Sequence, residues 1–447
     1  MTDHTPPSRI SIITLGCSKN TVDSEVLMRQ IEQNRFTLVD DPNDADTVII
    51  NTCGFIDVAK EESVNTIVEA AEMKKTGAIR NLYVAGCLSE RYRADLEKEL
   101  PEVDRFFGVT DFKNILETLG GSYKYELLGE RHLTTPRHSA YLKISEGCDR
   151  PCSFCSIPLM RGGHVSRPMD DIVREAEFLA TGGTKELVLI AQDTTYYGLD
   201  LHDERQLAPL LSALADVHGL EWIRLMYAYP SRFPLEALDV IRERNNICNY
   251  IDIPIQHIND DVLKSMRRGI TRRATEELLE TMRARVPGIA IRSTLIVGYP
   301  NESEAAFQEL YDFVAAQEFD RLGVFLYSQE ENTTAHILGD PLPHEVKEER
   351  RAAIMELQAE ISQRKNEAKI GQHLRVLVDG AEGNHVVARS EHDAPEVDNE
   401  VLIPLEEFGG DAPAGRFVDV TVVDANEFDL IATRGDGAAS APPEARR

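Results

Sequence analysis

Short apolar runs alternate along this chain with longer stretches in which apolar residues recur every three or four positions. ISIITLGC (10–17), TVIINTC (47–53) and NLYVAGC (81–87) are rich in β-branched residues, as strands buried on both faces of a parallel sheet are. Each stops on a cysteine. The intervening TVDSEVLMRQIEQ and VAKEESVNTIVEAAEMKK carry the period of amphipathic helices. Strand, helix, strand, helix, strand predicts an open parallel α/β sheet, whose strands end along one ligand-binding edge. Cys17, Cys53 and Cys87, separated by 36 and 34 residues, are expected to converge there.

The alternation pauses over LGGSYKYELLGERHLTTPRHS and resumes at AYLKIS, KELVLIAQD, WIRLMYA, YIDIP, AIRSTLIVG and RLGVFLYS, six strand candidates with helices such as MDDIVREAEFLATGG and TRRATEELLETMRARVPG between them. A right-handed βα series of this length predicts a full or partial parallel barrel with its chemistry at the carboxyl ends of the strands. HEVKEERRAAIMELQAEISQRKNEAKIG then reads as one long helix, with Val346, Ala353, Ile354, Leu357 and Ile361 on one stripe and Gly371 at its end. Beyond it HLRVLVDG, HVVARSE, EVLIPL, FVDVTVVD and FDLIATR are short strands between turn residues, the pattern of a small all-β barrel. The expected division is an α/β unit over 1–125, a linker over 126–139, a barrel with its helix over 140–370, a β-barrel over 371–435 and a disordered tail over 436–447.

Composition is that of a globular protein, and no apolar run reaches the length of a membrane span. The start, MTDHTPPSRI, has neither a basic nor an apolar signal region, so the expected location is the cytoplasm. Seven cysteines in 447 residues are too few for a disulfide scaffold, and thiols that cluster in a reducing compartment are metal ligands or reactive groups. A net charge of −28 disfavours broad binding to phosphate backbones and favours a basic partner.

SEGCDRPCSFCSIPLMRGG, directly after AYLKIS, spaces Cys148, Cys152 and Cys155 as C-x3-C-x2-C. A structural zinc site would need a fourth ligand, for which His164 is the nearest candidate. Three thiolates on a 4Fe-4S cluster instead leave one iron without a protein ligand, free for a substrate or cosubstrate. Cys248, in NNICNYIDIP, reads as an ordinary buried thiol.

The second triplet, at that place in a βα barrel, resembles the radical S-adenosylmethionine superfamily. The resemblance implies that the cosubstrate chelates the open iron and is split reductively to a 5′-deoxyadenosyl radical. It also implies that Phe154 lies where backbone meets the adenine, that Gln192 and Asp193 stand near the methionine end, and that Gly298 and Glu302 belong to the turn supporting the adenosine. Phe154 serves equally as packing, and Asp193 or Glu302 equally as a carboxylate at a helix start. Gln256 and His257 in YIDIPIQH also end a strand; a lone histidine there is more often structural.

Taken over nearly the whole chain, the scattered first triplet, the radical barrel and the small β-barrel are similar to the methylthiotransferase family, whose β-barrel is a TRAM domain. What this implies is a second 4Fe-4S cluster on Cys17, Cys53 and Cys87 that provides or carries sulfur, together with external electron and sulfur donors. Members modify an adenosine of transfer RNA or an aspartate of small-subunit ribosomal protein S-twelve. TLGCSKNTVDSE and ARSEHDAPEVDNEVLI resemble the ribosomal-protein branch. Between residues 371 and 435 fourteen Asp and Glu face four Arg and no Lys, a net of −10, so Glu391, Asp393, Glu396 and Asp398 are expected to meet the basic partner. The alternatives are transfer-RNA methylthiolation, supported locally by Arg161, Arg267, Arg268, Arg272 and Arg273, and a zinc-stabilised, ribosome-associated binding protein.

Overall fold

A computed structural model describes residues 8–435; the expected disordered tail lies outside the described residues. The first sheet contains β1 (Arg9–Thr14), β2 (Thr37–Leu38), β3 (Thr47–Thr52), β4 (Asn81–Gly86) and β5 (Arg105–Phe106), all parallel in the order β2-β1-β3-β4-β5. The three expected strands are its centre. Asn51 pairs with Thr14 on one side and Ala85 on the other, so β1, β3 and β4 finish level. Helices α1 (Ser18–Gln33), α2 (Asp57–Lys75) and α3 (Cys87–Glu99) follow. Helix α1 buries Lys19, Asn20, Asp23 and Glu25 as well as Val22, Leu27 and Ile31, because its second side packs on the next unit.

That unit opens with β6 (Ser139–Lys143), followed by the short pair β7 (Ser145–Glu146) and β8 (Val165–Ser166). Then come β9 (Glu186–Ile190), β10 (Trp222–Leu225), β11 (Ile247–Asp252), β12 (Ala290–Val297) and β13 (Arg321–Leu326). Strands β6 and β9 to β13 form six consecutive parallel neighbours, the order of a partial (β/α)6 barrel left open between first and last. Leu187, Leu189, Ile223, Leu225, Ile251 and Ile291 join the core beneath the helices. The alternate residues Val188, Ile190, Trp222, Cys248 and Tyr250 form a separate cluster on the inner face, as the two-residue period of a strand requires. Cys248 is a buried thiol there.

Segment 126–139, expected as a linker, is strapped down. Arg131 is buried and pairs with Glu25 at 3.2 Å and Glu175 at 3.0 Å, so it ties the two units together. The long helix spans His344–Glu367, and its buried row lies one step round from the apolar stripe. Ile354 and Ile361 are buried as expected, but Lys347, Arg350 and Gln358 are buried with them while Val346 is only partly covered. Lys347 bonds Asp340 at 2.6 Å and Arg350 bonds Glu302 at 2.6 Å; polar partners, invisible to periodicity, fix this face.

Strands β14 (His373–Glu382), β15 (His385–Ser390), β16 (Val401–Pro404), β17 (Phe417–Ala425) and β18 (Leu430–Arg434) close into a barrel in the order β14-β15-β16-β18-β17. Its core is Val376, Val378, Val386, Ala388, Val401, Ile403, Val420 and Val422. Leu377, Ala394 and Phe417 join the inner-face cluster of the six-stranded sheet, so the barrel and its loop 391–400 plug that concavity.

The plug overturns one expectation for two of its four residues. Asp393 pairs with Arg321. Asp398 accepts from Tyr250 Oη at 2.6 Å and Arg292 Nε at 3.2 Å, and Glu396 accepts from Tyr141 Oη at 3.0 Å. Glu391 accepts from the Asn249 amide at 3.2 Å. The Asp393 and Asp398 side chains are almost wholly buried. Asp393 and Asp398 hold two domains together and are closed to a basic partner, because the strands opposite present arginines and tyrosines inward; Glu391 and Glu396 also bond across the seam but keep exposed side chains.

Burial pushes the Asp393 carboxyl up, but Arg321, Lys369 and Ser390 outweigh it and hold it at about 2. A carboxyl depressed below its unfolded value of 3.8 contributes stability that is complete above that value and lost as pH falls toward the folded one. Asp393→Asn strands Arg321 without its counter-charge, a loss of about 3 kcal/mol. Thermal unfolding should show the variant well below the parent at pH 7, with the gap narrowing below roughly pH 4. A constant gap down to pH 2 would contradict the ion-pair account.

Candidate functional site

The level ends of β1, β3 and β4 deliver Cys17, Cys53 and Cys87 side by side. Close approach of three chains needs glycine at the contacts. A Cβ on Gly16 would stand 2.6 Å from Cys53 Cβ, and one on Gly54 2.8 Å from Leu88 Cα. Gly86, at φ +95°, has the Asn51 side chain and the Thr52 carbonyl where a Cβ would be. Cys17 caps α1 and Cys87 opens α3, so two of the three sulfurs sit at helix amino ends, where negative charge is favoured.

Burial pushes the Cys87 thiol up to about 12 against the lowering effect of Arg161, and it raises Cys53. Cys17 raises both further. Thiols that oppose one another's ionisation are a donor set for a cation, whose binding reverses the balance.

The second triplet lies in the loop between β7 and the short helix Ile157–Arg161. Gly147, at φ +70°, lets the loop fold back so that the Cys148 amide bonds Gly162 O at 3.1 Å. Burial pushes Cys148 up to about 11 and Cys155 to about 12. Cys152 Sγ lies 3.2 Å from Arg268 Nη1 and 3.4 Å from Tyr229 Oη. Among the described residues no three His, Cys, Asp or Glu side chains surround one point as ligands of a single ion would; a four-iron cluster places each thiolate on a separate iron. His164 bonds Ser166 Oγ at 3.0 Å and packs on Tyr196.

The residues expected around the cosubstrate divide into two groups. Gln192 Nε2 donates to Glu146 Oε1 at 3.1 Å, while its own Oε1 is buried without a partner. Gln256, at φ +74°, likewise has a buried, unpartnered Oε1. These two acceptors are suited to an incoming donor. Asp193 pairs with Arg150 at 2.6 Å and accepts from the Thr195 amide, the capping arrangement. Phe154 packs with Met266, Tyr299 and Tyr327. Gly298 has Lys347 where its Cβ would be, and Glu302 is buried between Arg350 and His257 Nε2, the latter at 3.3 Å. That turn reaches the thiol loop through Tyr299, whose hydroxyl bonds Ser153 Oγ at 2.9 Å.

The two cysteine sites adjoin. Arg161, at the end of the helix leaving the second triplet, donates to Glu146 at 2.8 Å, to Asn20 Oδ1 at 2.6 Å and to Asp23 at 3.1 Å. Lys143 completes the group by pairing with Asp23 and, at 2.7 Å, with Glu146. On another side Arg91 bonds both Gly54 O at 3.2 Å and Glu330 at 2.7 Å, and Glu330 also takes Lys60 at 3.1 Å. Sequence reasoning missed Asn20, Asp23, Glu146 and Tyr229, since no spacing marks them, and singled out Arg268 only as a contact to RNA. Of the five arginines expected to support transfer RNA, Arg161 and Arg268 are buried, while Arg272 and Arg273 pair with Glu276, Glu309 and Glu277. Exposed Arg267 is left, too little for a phosphate-binding face.

Comparison with known proteins agrees with this architecture. Residues 9–108 match an uncharacterised protein family, UPF0004, residues 142–314 the radical SAM superfamily, and residues 370–434 the TRAM domain. A curated relative from Flavobacterium johnsoniae, ribosomal protein uS12 methylthiotransferase RimO, is 55% identical over 95% of this chain and 97% of its own. The protein of the same name from Chloroherpeton thalassium is 53% identical over 96% and 98%. Among solved structures, the radical S-adenosylmethionine methyltransferase TsrM from Kitasatospora setae superposes with a TM-score of 0.54 at 15% identity, covering 84% of this chain and 79% of that one. The cobalamin-dependent radical enzyme OxsB gives 0.52 at 12%, covering 79% and 57%. These two likenesses concern the fold.

Proposed function

This chain belongs to the family of ribosomal protein uS12 methylthiotransferases, radical SAM enzymes with a TRAM domain, and from that premise we propose that it attaches a methylthio group to the β-carbon of an aspartate in uS12. The observation that carries the reading is the shared register of β1, β3 and β4, which brings three cysteines to one edge, against the helix that leaves the second triplet.

Cys148, Cys152 and Cys155 would hold one 4Fe-4S cluster and Cys17, Cys53 and Cys87 another, both matched by donor type and by a vacant fourth position. When bound, the first cluster with S-adenosylmethionine supplies the radical that removes hydrogen from a carbon no side chain can deprotonate, and the second supplies the sulfur route. The protein's own contribution is placement. Arg268 and Tyr229 stand against Cys152 and hold its side of the loop. The free acceptors of Gln192 and Gln256 would receive the cosubstrate's donors. Gly298 and Glu302, fastened to the long helix, hold the turn that bears Tyr299 against Ser153.

The charge of −28 draws a basic ribosomal protein toward the site, and Glu406, Asp411 and Asp424 leave acid on the outside of the barrel once the inner carboxylates are taken up. Electrons and sulfur come from external donors. Among the described residues no helix is long and apolar enough to cross a membrane.

The test is mass spectrometry after anaerobic incubation of the reconstituted, reduced protein with S-adenosylmethionine, sulfide, small ribosomal subunits and bulk transfer RNA. The expected product is a methylthio group on an aspartate of uS12. The same group on an adenosine would overturn the substrate, and none on either would overturn the activity.

A further inference from the structure

Arg161 has no role in the reading above, yet it is the residue in which the two cysteine sites meet. It closes the five-residue helix Ile157–Arg161, and Gly162 then turns the chain away at φ +71°. Its side chain is 2% exposed, and of its three close polar contacts two, Asn20 and Asp23, lie across the boundary in the first α/β unit, while Glu146 belongs to the radical barrel. Asn20 Oδ1, which accepts from Arg161 at 2.6 Å, lies 3.9 Å from Cys87 Sγ. Cys87 itself packs with Met160 and Ile157 of the same helix. In the opposite direction Glu146 Oε1 receives both Arg161 Nη1 and Gln192 Nε2. An unbroken series, Gln192, Glu146, Arg161, Asn20, Cys87, thus runs from the expected cosubstrate site to the first triplet.

The charges make this more than a tether. Arg161 and Lys143 balance Asp23 and Glu146, so the buried group is neutral as it stands. Three thiolates beside it add negative charge, and Arg161 is the buried cation joined to Cys87 through Asn20 Oδ1. Burying a guanidinium is costly unless its hydrogen-bonding geometry is fully used. A planar fork that serves Glu146, Asn20 and Asp23 at once uses it, which a lysine does less well.

Resting on the two-cluster reading, we propose that Arg161 is a positioning residue of both sites: its guanidinium fixes the N-terminal cluster in place beside Cys87 and sets that cluster's charge balance. The net charge around a cluster and the hydrogen bonds to its sulfurs set its reduction potential. A cation beside it favours the reduced, more negative state.

The experiment uses the full chain with Cys148, Cys152 and Cys155 all replaced by alanine, reconstituted with iron and sulfide, so that the N-terminal cluster alone is read. Redox titration followed by electron paramagnetic resonance should place Arg161→Gln at a lower potential than the parent, at equal iron and sulfide content. Arg161→Lys, which keeps the charge, should return the potential most of the way. A fully loaded Gln variant at the parental potential overturns the proposal, since a tether alone would leave the potential unmoved. If the Gln variant holds no iron, the Lys variant decides: iron at the parental potential supports the charge role, and equal loss of iron overturns it. A parent protein that binds no iron at all would sink the second-cluster reading itself, a failure distinct from that of Arg161.

Discussion

Replacing Cys152 with alanine abolishes the release of 5′-deoxyadenosine from S-adenosylmethionine. The expectation rests on both ligand number and surroundings. With three thiolates the site can hold a four-iron cluster and leave one corner for the cosubstrate; with two, a second corner loses its anchor. Cys152 is also the sulfur that Arg268 faces at 3.2 Å, and Arg268 is buried, with its Nε already lacking a partner. Alanine therefore removes a ligand and leaves Arg268 Nη1 without the sulfur it faces. The measurement is chromatographic assay of deoxyadenosine after dithionite reduction, alongside iron content. Iron should fall by about half relative to the parent, following the loss of one of two four-iron sites. The control is Cys248→Ser, a buried thiol outside both triplets on the inner face of the sheet beside Arg224, which should keep both iron and product. Sustained deoxyadenosine formation by the Cys152 variant would remove the radical assignment.

Such an experiment could be designed from the sequence, and it is instructive where that ceased to be true. All six strands of the central unit and all five of the small barrel were legible, because β-branched runs between turn residues leave little choice. The convergence of Cys17, Cys53 and Cys87 was legible as well, since parallel strands must end along one edge. The acidic loop 391–400 was not. Its composition announces negative charge, but whether a carboxylate meets water, a partner or an arginine is decided by the element opposite. A clue did exist on that element: Arg224, Arg292 and Arg321 interrupt otherwise apolar strands, and an arginine inside a buried strand demands a carboxylate from elsewhere in the chain. The same reasoning applies to Arg161, whose position six residues after Cys155 suggests no more than a contact to RNA until Asn20 and Asp23 are seen beside it.

Replacing Cys53 with alanine should separate the two halves of the reaction, leaving deoxyadenosine release intact while methylthio product falls below detection. Cys53 is anchored wholly within the first unit. Its amide donates to Ser63 Oγ at 3.1 Å, its carbonyl accepts from that same hydroxyl at 2.9 Å, and Gly16 lies against its side chain. None of these contacts touches the loop 148–155, so the radical site keeps its three thiols and its partners Tyr229 and Arg268. The first triplet, reduced to Cys17 and Cys87, no longer meets the ligand count of a four-iron cluster. The cavity left by one buried thiol in a glycine-lined contact costs about 1 kcal/mol, too little to unfold the sheet. Loss of product then reports chemistry and not collapse. The check is paired quantitation of deoxyadenosine and of methylthio-aspartate in uS12 from one reaction. Deoxyadenosine without modified aspartate is the expected outcome, and it places the three strand-end cysteines on the sulfur side of the reaction. Modified aspartate at the parental yield would mean that sulfur reaches the substrate without them, and the convergence of β1, β3 and β4 would need another explanation.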